Sequence, residues 1–266
     1  MSKSKETNGN LPARAEIPGL PAEVAGLMGE SKATGFEGIK PEDVAIPFLV
    51  ILQSLSPQVK KGHASRVPDA EEGMLFNNVT QEVYKEGIQV VPCAFQKAYV
   101  EWVTRENGGG FVASHQDEKL LATCKRDEKN NDILPNGNQL ATTAYHFVLI
   151  VKPDGSWERA VIGMSRTQLK KSRRWISQMM AIQMKDGKGK LFRPPMYSHK
   201  YRLTAVLEQK DDYSWYNYQI EGAEPIQDPD LFREAMRFNA DVVGGLAKVG
   251  APPVDGVEVT PAPEGM

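Results

Sequence analysis

One basic amphipathic stretch, residues 165–184, interrupts a chain whose other apolar segments mostly read as β-strands, and this placement restricts the fold more than any other feature. Residues 88–104 (IQVVPCAFQKAYVEWVT) are β-branched and aromatic, with Pro92 at a bend or edge. Residues 105–141 are polar and contain ENGGG and NGN, so they form a long connection with room for a short hairpin. Residues 142–151 and 156–162 flank KPDG, a good turn, and make a hairpin. Ser165 with Gln168 forms a capping box that starts a helix running to about Met184. KDGKGKLFRPP is a loop, and residues 199–208 and 213–220 form a second hairpin across QKDD.

Strand, long loop, hairpin, helix, hairpin is the element order of an OB-fold barrel, although several α+β folds share it. Such barrels bind oligonucleotides over one face and through the loops joining strands 1–2 and 4–5. The expected class is therefore mainly β with helices (α+β). It is an OB-fold-like five-stranded barrel with a helix between strands 3 and 4, plus a C-terminal helix opened by Asp228 or Asp230 and weakened late by Gly244 and Gly245. The expected organisation is a flexible N-terminal arm over 1–42, a nucleic-acid-binding domain over 43–222, a C-terminal helix over 223–250 and a disordered, weakly acidic tail over 251–266. Residues 43–55 are the first strongly apolar segment and enter the folded body.

Charge is distributed unevenly. Net charge is −2, yet residues 160–207 hold eleven cations and one acid, Asp186; that segment is +10 and the rest of the chain −12. The cations are Arg166, Lys170, Lys171, Arg173, Arg174, Lys185, Lys188, Lys190, Arg193, Lys200 and Arg202. On a helical wheel Arg166, Lys170, Arg173 and Arg174 fall on one face, and Leu169, Trp175, Ile176, Met179 and Met180 on the other. Like charges at these spacings repel by a few tenths of a kcal/mol per pair, which a polyanion would relieve. A solvated amphipathic helix is the plain alternative; the cations continuing through 185–202 favour an anionic partner.

Aromatic residues interleave with this charge: Trp157, Trp175, Phe192, Tyr197 and Tyr201 within or beside it, Trp215, Tyr216 and Tyr218 on the last strand, and Tyr99, Trp102 and Phe111 flanking the long loop. Single-stranded nucleic acid needs cations for phosphates and flat apolar faces for bases. The expected contact set is Arg166, Lys170, Lys171, Arg173, Arg174, Lys188, Lys190, Arg193, Lys200 and Arg202 for phosphates. Tyr99, Trp102, Trp157, Tyr197, Trp215, Tyr216 and Tyr218 are the candidate stacking rings, of which two or three touch a base.

Other chemistry finds little support. Cys93, His115, Cys124 and His146 are separated by 21, 8 and 21 residues, which matches no common zinc site. Gly108–Gly110 lacks the Lys-Ser/Thr of a phosphate loop, although a flexible turn can still touch phosphate. No nucleophile elbow, HExxH or paired-metal carboxylate cluster is present, so no catalytic residue, metal or cofactor is expected. MSKSKETNGNLPARAE lacks an apolar signal core, and the longest apolar runs, 46–52 and 147–151, are too short for a bilayer. A reducing, cytoplasmic compartment without a membrane partner is expected.

The stretches GFEGIKPEDVAIPFLVILQ, YVEWVTRENGGGF and SRTQLKKSRRWISQMM…RPPMYSHKYRLT…SWYNYQIEG resemble the phage-encoded single-stranded DNA-binding proteins over roughly residues 35–222. The resemblance implies an OB-fold, binding of single strands with little sequence preference, a place in phage replication or recombination within the host cytoplasm, and an acidic tail that recruits replication proteins. Residues 219–266 carry nine acids and three cations, but the chain closes Glu264-Gly265-Met266 with no terminal aromatic, which puts tail-mediated recruitment in doubt. A single-strand annealing recombinase forming oligomeric rings, and a nucleic-acid-binding enzyme or host-factor inhibitor, are the alternatives. A homodimer is left open.

Overall fold

The computed structural model describes residues 21–30, 34–40 and 43–253. The chain divides into two units, Met1–Lys40 and Pro41–Met266. In the first, helix α1 (Ala22–Glu30) occupies part of the stretch expected to be a flexible arm. Most of the rest of the expected arm, and all of the expected tail beyond residue 253, lie outside the described residues.

The second unit is mainly β with helices. Its strands are β1 (Leu49–Ile51), β2 (Leu75–Asn77), β3 (Val83–Tyr84), β4 (Ile88–Trp102), β5 (Phe111–His115), β6 (Lys125–Arg126), β7 (Asp132–Ile133), β8 (Gln139–Val151) and β9 (Trp157–Ser165). Helix α2 (Gln168–Ala181) follows, then β10 (Met184–Lys185), β11 (Leu191–Phe192), β12 (His199–Lys210), β13 (Tyr213–Pro225) and helix α3 (Pro229–Val243). The large sheet runs β13-β12-β4-β8-β7-β6, with β5 also on β4 and β9 also on β8. Five strands were expected; among the described residues this sheet has eight, and β1-β2-β3 form a separate three-stranded sheet. The extra strands are short, two to five residues each, and lie mostly in the connections, where alternation is too brief to read.

Strand β8 shows why its sequence lacks alternation. Residues 143–150 are all buried, because both faces are covered. Ala144, Val148 and Ile150 join one core with Leu49, Ile162, Trp175 and Tyr201. Tyr145, Phe147 and Leu149 join a second core with Val91, Leu231 and Phe238 of α3. Helix α3 starts as its sequence predicts: Asp228 accepts from the N–H groups of Asp230 and Leu231 at 2.8 and 3.3 Å, with Pro229 at the first turn. Arg159 holds it to β9 through Glu234 and Asp241 at 2.7 and 2.8 Å. Pro92 does mark an irregularity, a register shift between Pro92 and Ala94, and there Asn239 of α3 donates to the Cys93 carbonyl at 2.7 Å.

His146 of β8 is fully buried, stacked on Trp175 at 4.8 Å, with Nε2 bonded to Ser172 Oγ at 2.8 Å. Burial pushes its pKa down from 6.5 to about 3, so the folded state keeps the ring neutral where the unfolded chain takes up a proton. Stability from this group is full above pH 6.5 and is lost as pH falls toward 3, by up to about 1.4 kcal/mol per pH unit. Urea melts between pH 7 and 4 should show this acid-side loss, and it should shrink in His146→Gln; an equal loss in that variant would contradict it.

Candidate nucleic-acid interface

The turn from β9 into α2 sets the position of the first cation. Arg166 takes a left-handed backbone, φ 50°, which is uncommon for a side chain of this size. The helix then begins at Gln168 with Thr167 as its N-cap residue and no side-chain cap. The expected Ser165–Gln168 capping box is therefore absent: Ser165 ends β9, two residues before the N-cap position. The left-handed turn brings Arg166 to β8, where its Nη2 donates to Gln139 Oε1 at 3.2 Å. The helix also stops at Ala181 rather than near Met184, because 184–192 closes into its own hairpin.

Arg166 lies at the edge of an open cleft of about 300 Å³. Its floor includes Gln139, Ala141, Thr143 and Tyr145, which share one face of β8. Further along β8 the same face carries Phe147 and Leu149 under α3, so the cleft is the part of that face that α3 leaves open. Trp102 of β4 pairs with Gln139 and packs edge-on against Phe111 at 5.9 Å. Opposite lie the backbones of Gly109 and Gly110, both at positive φ, in the loop closed by Val103 N–H to the Gly110 carbonyl at 2.9 Å. Gln168, Ser165 and the C-terminal Pro252 and Pro253 complete the rim. A half-buried indole, a guanidinium and several amide and hydroxyl groups thus face one concavity. That set can stack a flat ring, bond its polar edge and neutralise a phosphate.

The long connection from β4 to β8 is fixed beside this cleft by one carboxylate. Glu101 accepts from Asn138, Asn136 and His115 at 2.6, 2.9 and 2.9 Å. Hydrogen bonds from Asn138 and then Asn136 hold its carboxyl below the usual carboxylate range. The NGN segment is therefore a tied turn rather than loose loop.

Along α2, Lys170, Arg173 and Arg174 are exposed, while Trp175 and Met179 are buried. Met180 was expected on the seated face but is 53% exposed; it lies about 140° from Trp175 at 3.6 residues per turn. Lys171 falls about 40° from Trp175, is half-buried, and pairs with Glu208 at 2.7 Å. Lys200 pairs with Glu224 at 3.6 Å, and Arg202 donates to the Glu86 carbonyl at 2.6 Å, so these three cations of the expected set already have protein partners. Lys188, Lys190 and Arg193 are exposed on and after the β10–β11 hairpin, and among the described residues neither they nor Lys170, Arg173 and Arg174 form an ion pair.

The expected rings divide more sharply. Tyr99 and Tyr218 are each 1% exposed; both are core residues and present no face to a base, because the strands carrying them are covered on that side. Tyr216 is half-buried against the first core, with its ring over Gly73, where a Cβ would sit 2.5 Å from it. Trp157 and Tyr197 pack into the second core, Tyr197 edge-on to Phe232 at 5.4 Å. Trp215 is half-buried on the strand beside Glu208, away from the cleft-lining residues. Of the seven, Trp102 and Tyr218 line the cleft; Trp102 is half-buried there, whereas Tyr218 is 1% exposed. Gln139, Ser165, Gln168 and Gly109–Gly110 were not foreseen as a group; only the Trp102–Gln139 register brings them together, and no single segment signals it.

Among the described residues no group of three or more His, Cys, Asp and Glu is placed to hold a metal ion, and both cysteines are free. No described helix is long and apolar enough to cross a membrane. The chain matches no curated protein and no solved structure. A family model described as Pam3 phage gp34-like protein matches residues 18–248, and the chain belongs to that family.

Proposed function

We propose that the chain is a non-enzymatic, sequence-tolerant single-stranded DNA-binding protein serving phage replication or recombination in the host cytoplasm. The observation that carries this is the continuity of the cleft with the helix: Gln168, the first residue of α2, lines the cleft with Arg166 of the preceding turn, so a strand whose base enters beside Trp102 has its phosphates led onto Lys170, Arg173 and Arg174. The 14-residue helix offers about 21 Å of this surface.

The strand arrangement supports an OB-type reading. β4 lies between β8 and β12, with β9 beyond β8, β13 beyond β12, and α2 between β9 and β12. In such barrels the face of strands 2 and 3 and the loop joining strands 1 and 2 bind oligonucleotides. The counterparts here are β8, β9 and residues 103–138, which line much of the cleft together with Phe48, Val50, Ile51 and Gln53 at and beside β1. The β12–β13 connection is a two-residue turn at Asp211–Asp212 and contributes nothing to it. Recruitment of replication proteins through the acidic end belongs to the same proposal; most of the tail lies outside the described residues.

Titrating oligo-dT while following tryptophan fluorescence, at two salt concentrations, tests the reading. Trp102 should be quenched, and log affinity should fall by about 0.7 per neutralised phosphate per log unit of salt. Salt-insensitive binding, or none at low salt, would overturn it.

A further inference from the structure

The β10–β11 hairpin is the least packed part of the basic block: every residue from 183 to 193 is exposed. It is nevertheless internally ordered. Asp186 N–H donates to the Lys190 carbonyl at 3.0 Å and Gly189 N–H to the Asp186 carbonyl at 2.9 Å. The Asp186 carboxylate accepts from the N–H groups of Lys188 and Lys190 at 2.8 and 2.9 Å. The one acid of the block is thus spent on shaping the turn, and Lys185, Lys188 and Lys190 project without an ion pair among the described residues.

Between these cations stand apolar side chains. Met184, Leu191 and Phe192 are 37, 56 and 43% exposed, and Met184 faces Phe192 directly across the hairpin. Directly opposed residues share a face, so this is an apolar pair presented to solvent on a cationic arm. The charge selects an anionic partner and the pair selects one with apolar faces. An unpaired nucleic-acid strand has both, whereas a duplex hides its base faces in the stack.

We propose that the hairpin is a base-contacting finger, in which Phe192 backed by Met184 packs on an unpaired base while Lys185, Lys188 and Lys190 hold the adjoining phosphates. It rests on the single-strand reading and extends the binding track beyond α2.

The test uses the full chain as wild type, Phe192→Ala, Phe192→Tyr and the double variant Lys188→Ala/Lys190→Ala. Each is titrated with labelled oligo-dT at two salt concentrations, and sedimentation reads its self-association. Phe192→Ala should bind roughly ten-fold more weakly with its salt dependence unchanged, and Phe192→Tyr should restore affinity. The double lysine variant should flatten the salt slope by about 1.4. Phe192→Ala binding as tightly as a DNA-binding wild type overturns the finger alone. Phe192→Ala turning a dimer into a monomer with affinity kept makes the patch a self-association surface and also overturns it. No binding by wild type overturns the single-strand reading, and the finger with it.

Discussion

Reversing the charge at Lys170, Arg173 and Arg174 together is expected to weaken oligo-dT binding by at least about a hundred-fold and to lower its salt slope by about 2. The three side chains are exposed on α2 and form no ion pair among the described residues, so nothing in the fold competes for them. Their mutual repulsion, a few tenths of a kcal/mol per pair, is relieved only by an anion. Three like negative charges restore a similar repulsion, so the melting temperature should stay close to wild type. Lys171→Ala is the contrasting variant: that ammonium already serves Glu208 at 2.7 Å, and its removal should change affinity little. Fluorescence titration and thermal melts of the same samples check both. Unchanged affinity in the triple variant would place the DNA elsewhere.

Trp175→Ala should destabilise the fold by about 3–5 kcal/mol, the usual range for a buried aromatic. Its side chain is 0% exposed, stacks on His146 and meets Tyr201 edge-on at 5.6 Å. It is the main apolar anchor that seats α2 on the sheet, so the loss should reach the cationic face too. At a few degrees per kcal/mol for a chain of this size, the melting temperature should fall by about 10 °C. A loss under about 1 kcal/mol would show that α2 is held by something other than this contact.

The long strands and both larger helices were legible because their signals are local. β-Branched and aromatic runs bounded by KPDG and QKDD define β8, β9, β12 and β13, and Asp228-Pro229 announces α3. The limits of α2 were not legible. Its start depends on the left-handed Arg166, which carries no sequence signal, and its end on the Asp186 turn, whose glycines read only as loop. Ring exposure was legible least of all. Alternation along β13 puts Tyr216 and Tyr218 on one face but cannot say what covers it; here the first core does. The same holds for Tyr99, buried beside Leu134 of the long connection and Leu140 of β8. The cleft needed strand register, because Trp102, Gln139 and Arg166 meet only once β4, β8 and β9 are paired.

The cleft and the cationic helix together should select an unpaired strand. Equilibrium binding of the full chain to one labelled oligonucleotide, alone and annealed to its complement, tests it most directly at moderate salt. Binding should be much tighter to the single strand and lost on annealing. Equal or tighter binding to the duplex would contradict it.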